Sequence, residues 1–353
     1  MTAHGGDVWS AAQELGIPAS ELLDFSANIN PRGLPRRARE RLRQDASDAL
    51  LLSFYPDPSA RALRMALSER LDVPLEAILV GPGAEALLSP ALRCLQAKRA
   101  LVPVPAFSEY RRVCAQEDVG FVPFPLDASN GFRLPVDRCC RTLEAEGCDA
   151  VFLNQPHNPS GAYLEPNEVR HILDAGTGMI LDEAFIDYVP EMSLTREAAS
   201  RPRLLVIRSL TKFYGSPALR AGYAVAHPDT IRRIAAFVPT WPVTQLAIDA
   251  FAQAVADCEY AEASRTENAL ERERLSTALR TLGLVVFPSA ANFLLLDLPA
   301  ALRPAAELRT KLLREHRILI RNCDSYEGLE SGRYIRVAVR SASDNQRLIH
   351  ALR

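Results

Sequence analysis

Residues 209–220 read Ser-Leu-Thr-Lys-Phe-Tyr-Gly-Ser-Pro-Ala-Leu-Arg. An apolar, β-branched run over residues 204–207 comes before them and predicts a buried strand, so Lys212 follows a strand end. Hydroxyl groups hydrogen-bond to phosphate and arginine offers a charged fork, so Ser209, Thr211 and Arg220 indicate a phosphate site beside this lysine. An exposed lysine on a turn is the alternative interpretation of the same residues.

A lysine beside a phosphate site is typical of enzymes that use pyridoxal 5′-phosphate (PLP). In a partly desolvated pocket that holds other cations, an amine loses its proton and becomes a nucleophile. Residues 178–185 predict a short apolar strand that ends at Asp182, and an aspartate can pair with the protonated pyridine nitrogen of PLP. Residues 150–153 predict another strand, and a proline-rich turn at a strand end can direct Asn158 toward the ring hydroxyl.

Strand ends that carry Asn158, Asp182 and Lys212 in this order resemble the fold-type I superfamily of PLP-dependent aminotransferases. The resemblance implies an α/β fold, with a large domain built on a mostly parallel seven-stranded sheet sandwiched by helices, and a small α/β domain. Short apolar strands that alternate with amphipathic helices independently favour a parallel sheet covered on both faces. Functional residues of such sheets gather at the carboxyl ends of the strands.

Three parts of the chain are expected from this resemblance and from the change in composition near residue 240. They are an N-terminal arm over the active site at residues 1–34, a large PLP-binding domain at residues 35–240, and a linking helix with the small domain at residues 241–353. The linking region is predicted to be helical from about residue 244 to 282, with a break near Cys258.

Four segments narrow the resemblance. They are His-Gly-Gly at residues 4–6, Leu-Asp-Phe-Ser-Ala-Asn-Ile-Asn-Pro at residues 23–31, the lysine segment at 209–214, and Ile-Leu-Ile-Arg-Asn-Cys at residues 318–323. Over essentially the whole chain, the sequence resembles the threonine-phosphate decarboxylase family of cobalamin biosynthesis. This resemblance implies PLP-dependent decarboxylation of L-threonine O-3-phosphate to (R)-1-amino-2-propanol O-2-phosphate.

Three alternatives stay open at this point. Histidinol-phosphate aminotransferases are close relatives and use the same catalytic residue types. L-Serine phosphate is an alternative substrate of a decarboxylase, because one methyl group distinguishes it from threonine phosphate. A non-catalytic, ligand-sensing PLP-fold module is disfavoured because Lys212 and Asp182 are both present and because the arm before Asn28 is too short for a DNA-binding domain.

The family resemblance assigns roles to individual residues. Lys212 and Asp182 are expected to be catalytic. The expected cofactor contacts are Gly83, Ala84, Glu85, Phe107, Asn158, Asp182, Ser209, Thr211, Lys212 and Arg220. The expected substrate contacts are His4, Asn28 and Arg321 for the phosphate and Arg336 for the α-carboxylate. The family often has asparagine at the position of Pro82 and an acid at that of Ala86, so only backbone contacts are expected from residues 83–85.

The same resemblance bears on one tyrosine and one histidine. Tyr55 precedes a Pro-Asp-Pro turn, where the family has a tyrosine that reaches the PLP phosphate of the neighbouring subunit. A homodimer with shared active sites is therefore expected. His157 occupies a position where the family commonly has asparagine. No role is assigned to it, and exposure to solvent is the simplest interpretation.

The composition of the chain limits its partners. A net charge of −2 over 353 residues gives no bulk reason to expect binding to nucleic acid or to an anionic membrane. The seven cysteines form no Cys-x-x-Cys pair and show no zinc-ligand spacing, so we expect no metal site and reduced thiols in the cytoplasm. No signal peptide is visible at the start, and no apolar run is long enough for a membrane helix.

Overall fold

The computed structural model describes residues 5–353. Its helices are α1 (Val8–Leu15), α2 (Arg36–Ser47), α3 (Arg61–Leu71), α4 (Leu88–Leu95), α5 (Ser108–Gln116), α6 (Val136–Ala145), α7 (Pro166–Asp174), α8 (Thr195–Ala198), α9 (Leu210–Phe213), α10 (Pro228–Ala235), α11 (Gln245–Val255), α12 (Cys258–Thr281), α13 (Ala305–His316) and α14 (Ala342–Ala351). Among residues 5–353, none of these helices has the length and apolar character that a membrane crossing requires.

The strands form one large and two smaller sheets. They are β1 (Leu23–Asp24), β2 (Ile78–Gly81), β3 (Arg99–Val104), β4 (Gly120–Pro125), β5 (Ala150–Asn154), β6 (Gly178–Asp182), β7 (Leu204–Ser209), β8 (Gly222–Val225), β9 (Val285–Val286), β10 (Phe293–Asp297), β11 (Ile318–Leu319), β12 (Arg321–Asn322) and β13 (Tyr334–Ala338).

The large sheet has seven strands in the order β2-β8-β7-β6-β5-β3-β4. The five strands β7, β6, β5, β3 and β4 are parallel to one another, and β8 is antiparallel to both β7 and β2. The mostly parallel seven-stranded sheet that the sequence predicts is therefore confirmed. Parallel strands end at the same edge, so Asn154, Asp182 and Ser209, the last residues of β5, β6 and β7, lie together.

Helices cover both faces of this sheet because the central strands are apolar on both sides. Met179 and Leu181 of β6 belong to one apolar core with helices α2, α3, α6, α7 and α11. Ile180, between them, belongs to a second core with α4, α5 and α10. Alternate residues of a strand point to opposite faces, so each central strand contributes to both cores.

The second sheet is antiparallel, in the order β12-β13-β10-β9. Its apolar residues pack with α12, α13 and α14. The N-terminal segment joins this region, because β1 pairs with β11 and because the backbone N–H of Phe25 donates to the carbonyl of Leu319 at 2.8 Å. The predicted break near Cys258 is confirmed between α11 and α12. The three-part division at residues 34 and 240 stays a prediction.

Candidate active site

A cavity of about 400 Å³ opens at the carboxyl ends of the central strands. It is lined by these predicted site residues: Asn28, Gly83, Ala84, Glu85, Phe107, Asn158, Asp182, Ser209, Thr211, Lys212, Arg220, Arg321 and Arg336. Distant parts of the chain meet here, because strand ends of the large sheet face β12 and β13 of the second sheet and the N-terminal segment. One cavity therefore brings together nearly all the residues that the sequence singles out.

Tyr55 is the predicted site residue of the described chain that does not line this cavity. His4, also predicted, lies outside the described residues. Tyr55 is 79% exposed in the single chain, and its ring stacks on Trp241 with the ring centroids 4.4 Å apart. The cross-subunit role of Tyr55 needs a side chain that is free to leave its own subunit surface, and this exposure is compatible with that role.

Lys212 follows strand β7 on the short helix α9, whose N-terminus is capped by the Ser209 hydroxyl. Burial of the amine, together with the positive charges of Arg220 and Arg336, lowers the pKa of Lys212 to about 8, and the carboxylate of Asp182 opposes this shift. An amine with a pKa near neutrality can act both as a nucleophile and as a proton carrier. Lys212 thus has the electrostatic surroundings that a covalent role requires.

The backbone of residues 83–85 packs closely against β8 at the same end of the cavity as Lys212. Gly83 has a φ of +103°, and a Cβ at this position would lie 3.0 Å from Nη2 of Arg220. A Cβ on Gly222 would lie 2.4 Å from the backbone nitrogen of Ala84. Only glycine permits this close approach of the 83–85 loop to β8. The hydroxyls of Ser209 and Thr211 lie 2.8 Å apart at the same end of the cavity, and together these groups fit a phosphate.

Asp182 is buried and has a fixed orientation. Its Oδ2 accepts a hydrogen bond of 2.7 Å from the hydroxyl of Tyr110, and its Oδ1 accepts one of 3.0 Å from the backbone N–H of Ala184. Burial raises the pKa of Asp182, while these two hydrogen bonds and the charge of Lys212 act in the opposite direction. A cationic ring nitrogen bound next to Asp182 would favour the carboxylate further. The carboxyl group therefore fits the pyridine nitrogen of PLP.

Tyr110 is a site residue that the sequence reasoning missed. It lies on α5, three positions after Phe107, and its ring packs edge-on to Phe107 at 5.8 Å and stacks on Phe152 at 5.1 Å. Had a helix been predicted over residues 108–116, the spacing of three residues would have placed both aromatic rings near one face. That spacing could have identified Tyr110 as a neighbour of the ring site, but not as the donor to Asp182.

Asn158 connects the strand ends to the second sheet. Its backbone N–H donates to Oδ1 of Asn154 at 2.6 Å, and the Nδ2 of Asn154 donates to the carbonyl of Asp182 at 2.9 Å. The Oδ1 of Asn158 accepts from Nη1 of Arg336 and, at 3.1 Å, from the hydroxyl of Tyr326. The sequence reasoning also missed Asn154 and Tyr326, because these contacts arise only in the folded chain.

Two arginines extend from the second sheet into the cavity. Arg336, on β13, donates through Nη2 to the carbonyl of Ser26 at 3.0 Å, and its Nε is buried without a hydrogen-bond partner in residues 5–353. Arg321, on β12, donates through Nη2 to the hydroxyl of Ser325 at 2.7 Å. The Oδ1 of Asn28 is likewise buried without a partner in the described chain. Buried polar groups of this kind have the capacity to bind an anionic, hydrogen-bonding ligand.

The expectation that His157 faces solvent is wrong. Its ring is buried, with Nε2 at 2.8 Å from the carbonyl of Pro105 and Nδ1 at 2.7 Å from the hydroxyl of Ser160. Since a carbonyl only accepts, Nε2 carries the proton and Nδ1 accepts from Ser160. Burial lowers the pKa of His157 to about 4. The neutral ring links the turn of Asn158 to the loop of Phe107, and both ring nitrogens are satisfied, which is why a polar side chain can be buried here.

His157 predicts a dependence of stability on acid pH. The unfolded chain takes up a proton near pH 6.5, whereas the folded chain resists protonation down to about pH 4. The free energy of unfolding should therefore fall by about 3 kcal/mol as the pH falls through this window. Denaturant titrations at several pH values give the free energy of unfolding as a function of pH. Its fall between about pH 6.5 and pH 4 should be lost in His157→Asn and kept in the exposed control His171→Asn. An unchanged slope in His157→Asn would contradict this account of the ring.

The comparisons with known proteins agree with this geometry. A family model described as aminotransferase class I and II matches residues 20–352. A threonine-phosphate decarboxylase of Salmonella typhimurium is 38% identical over 359 residues, which cover 100% of this chain and 96% of that protein.

Two solved structures resemble the whole fold. L-Threonine-O-3-phosphate decarboxylase from Porphyromonas gingivalis matches with a TM-score of 0.80 and 27% identity, over 93% of this chain and 97% of that one. Histidinol-phosphate aminotransferase from Clostridium acetobutylicum matches with a TM-score of 0.85 and 27% identity, over 94% of this chain and 98% of that one. The lysine, aspartate and arginines of the cavity thus belong to a fold that is known from solved enzymes. The chain is a member of the class I and II aminotransferase family.

Proposed function

We propose that this protein is a PLP-dependent carboxy-lyase that converts L-threonine O-3-phosphate into (R)-1-amino-2-propanol O-2-phosphate and CO₂, a step of cobalamin biosynthesis. The observation that carries the proposal is the number of arginines in one cavity. Arg220 lies at the end suited to the cofactor phosphate, and Arg321 and Arg336 remain for a substrate with two anionic groups. The similarity to threonine-phosphate decarboxylase of Salmonella typhimurium over the full chain supports the same substrate.

The residues around the cavity fit PLP. Lys212 would hold it covalently through Nζ. Its phosphate would be held by Ser209, Thr211, Arg220 and the backbone N–H groups of residues 83–85. Asp182 would bind the pyridine nitrogen, Phe107 would pack against the ring and Asn158 would bind the ring hydroxyl. When bound, PLP withdraws electrons from the substrate Cα, so that one of its bonds breaks more easily.

The protein decides which Cα bond breaks by how it orients the substrate. The bond that stands perpendicular to the plane of the cofactor ring is the one that is weakened. Arg336 would bind the carboxylate, while Arg321, Asn28 and His4 would bind the phosphate. When the two anionic groups of one short substrate are both bound, the substrate cannot rotate freely. We propose that this binding holds the Cα–carboxylate bond perpendicular to the plane of the cofactor ring. After CO₂ leaves, Lys212 Nζ, with a pKa of about 8, can deliver a proton to Cα.

Transamination of histidinol phosphate is the second candidate, because the same cavity would serve it. In that reaction Lys212 Nζ would remove the Cα proton, and a keto acid would be needed in a second half-reaction. Histidinol phosphate has no carboxylate, so Arg336 would lack an anionic ligand in the first half-reaction and would meet one only in the keto acid of the second. The buried guanidinium of Arg336, with an unpartnered Nε, favours a substrate that carries a carboxylate.

The experiment compares the two reactions directly. Purified protein with PLP is given threonine phosphate without any keto acid, and separately histidinol phosphate with 2-oxoglutarate. We expect CO₂ and aminopropanol phosphate in the first assay. Glutamate in the second assay, with no CO₂ in the first, would overturn the decarboxylase assignment. Serine phosphate is tested in parallel. Because it lacks the methyl group, its kcat/KM should be about 10- to 200-fold lower than that of threonine phosphate.

We further propose a homodimer that works in the cytoplasm. Exposed apolar side chains lie close to Tyr55 in the sequence, namely Leu50, Leu52 and Phe54, and the exposed Trp241 stacks on its ring. A cluster of this kind is typical of a surface that another subunit covers. All seven cysteines are free thiols, as expected in a reducing compartment. The net charge of −2 gives no electrostatic reason for a nucleic-acid partner.

Tyr55→Phe tests the contact between subunits. Loss of one hydrogen bond to the cofactor phosphate should weaken PLP binding about 10-fold, which equilibrium dialysis of the apoenzyme can measure. Tyr163→Phe, another partly exposed tyrosine that does not line the cavity, is the control. Equal PLP affinity in Tyr55→Phe, Tyr163→Phe and the unmodified protein would contradict a role of Tyr55 in the neighbouring site.

A further inference from the structure

Tyr326 lies between the two arginines that face the substrate end of the cavity. Its buried hydroxyl donates to Oδ1 of Asn158 at 3.1 Å and accepts from Nη1 of Arg336 at 3.1 Å. The guanidinium of Arg321 lies over its ring, 5.5 Å from the ring centroid. One side chain therefore contacts both arginines and Asn158, the asparagine that would bind the ring hydroxyl of PLP.

The contacts of Arg336 explain why this position matters. Its Nη1 is held by Asn158 and Tyr326, its Nη2 is held by the carbonyl of Ser26, and its Nε has no hydrogen-bond partner in residues 5–353. The hydroxyl of Tyr326 is thus one of three anchors that orient the guanidinium. Removal of this anchor should leave Arg336 in the cavity, held by Asn158 and Ser26 alone, with the plane of its guanidinium less firmly fixed.

We propose that Tyr326 is a positioning residue that fixes the carboxylate-binding arginine relative to the phosphate-binding arginine and so selects decarboxylation over transamination. The inference rests on the proposed function, since it concerns how the same site orients a substrate with two anionic groups. The hydroxyl acts on Arg336 and Asn158, and the ring acts on Arg321. The two parts of the side chain can therefore be separated by mutation.

The two competing outcomes differ in one bond. In decarboxylation the Cα–carboxylate bond breaks, its electron pair stays with Cα, CO₂ leaves and a proton is added to Cα. In transamination the Cα–H bond breaks and a proton is added to the cofactor carbon that bears the amine. One water molecule then supplies the oxygen of the 2-oxo acid, and the substrate amine stays on the cofactor as pyridoxamine 5′-phosphate. Without a keto acid, transamination stops the enzyme after one event. A less firmly held carboxylate should therefore increase the fraction of enzyme trapped as pyridoxamine 5′-phosphate.

Tyr326→Phe removes the hydroxyl and keeps the ring over Arg321. We expect the number of CO₂ molecules released per pyridoxamine 5′-phosphate formed to fall about 10-fold or more, as for loss of a hydrogen bond to a charged group. A binding readout uses 3-phosphoglycerate, which carries a carboxylate and a phosphate but no amine to react with PLP. Its dissociation constant for the holoenzyme should rise about 10-fold in Tyr326→Phe, whereas that of inorganic phosphate should stay within about 2-fold.

Tyr326→Leu removes the ring as well. Inorganic phosphate should then also bind a few-fold more weakly, because the cation–π contact with Arg321 is lost. Tyr163→Phe serves as the control for a tyrosine outside the cavity. The inference would be overturned if Tyr326→Phe matched the unmodified protein in both quantities, namely the ratio of CO₂ to pyridoxamine 5′-phosphate and the affinity for 3-phosphoglycerate.

Failure of the proposed function gives a different result. If the unmodified protein releases no CO₂ from threonine phosphate, the decarboxylase assignment fails, whatever Tyr326 does. The binding of 3-phosphoglycerate then tests the positioning role alone, since it requires no reaction. Weaker 3-phosphoglycerate binding in Tyr326→Phe with unchanged phosphate binding supports that role, and equal binding in both proteins overturns it.

Discussion

Replacement of Lys212 by alanine should reduce CO₂ release from threonine phosphate by about 1,000-fold or more, because one change removes both the covalent attachment of PLP and the proton carrier. The side chain lines the cavity, and its pKa of about 8 makes a neutral amine available near physiological pH. No other lysine lines this cavity within the described chain, so no neighbouring amine can replace it.

The covalent role has a direct readout. The holoenzyme is treated with borohydride and its intact mass is measured, and the unmodified protein should gain the mass of one reduced cofactor. Lys212→Ala should gain none, whereas Lys311→Ala, which changes an exposed lysine of α13, should behave like the unmodified protein. Stable attachment of cofactor to Lys212→Ala at the level of the unmodified protein would contradict the assignment.

Replacement of Asp182 by asparagine should lower kcat for threonine phosphate by about 100- to 10,000-fold. An amide removes the negative charge that keeps the pyridine nitrogen of PLP protonated, so the cofactor withdraws electrons less effectively. The change also removes the group that raises the pKa of Lys212, so the pKa of this amine should fall below about 8. A pH profile of turnover and a PLP-binding measurement together check both effects.

Tyr110→Phe is the matched control for Asp182→Asn. It removes the 2.7 Å hydrogen bond to Asp182 but keeps the carboxylate and the ring packing. The loss in kcat should therefore be about 10-fold, which corresponds to one hydrogen bond to a charged group. If Asp182→Asn turned over no more slowly than Tyr110→Phe, the negative charge would not be the property that matters at this position.

The large sheet and the main site residues could be predicted from the sequence. Apolar runs marked strands β5, β6 and β7, and polar residues after these runs marked their carboxyl ends. Because parallel strands end at one edge, Asn158, Asp182 and Lys212 had to come close together. The family resemblance then added Arg321 and Arg336, which lie far along the chain and on a different sheet.

The contacts between distant side chains could not be predicted from the sequence. Tyr326 and Asn158 are 168 positions apart, and no local pattern links them. The sequence assigns no role to His157 and leaves exposure to solvent as its simplest interpretation. Its burial depends on the carbonyl of Pro105, on another strand end, and on Ser160, which together satisfy both ring nitrogens. Long-range hydrogen bonds of this kind appear only once the elements are packed.

One measurement tests the central claim most directly. Threonine phosphate labelled with carbon-13 in its carboxyl group is supplied in large excess over the PLP-loaded enzyme, with no keto acid present, and labelled CO₂ and aminopropanol phosphate are counted together. The account predicts equal amounts of the two products over many turnovers per active site. Less than one turnover per site, with the label retained in a 2-oxo acid and the cofactor converted to pyridoxamine 5′-phosphate, would contradict it.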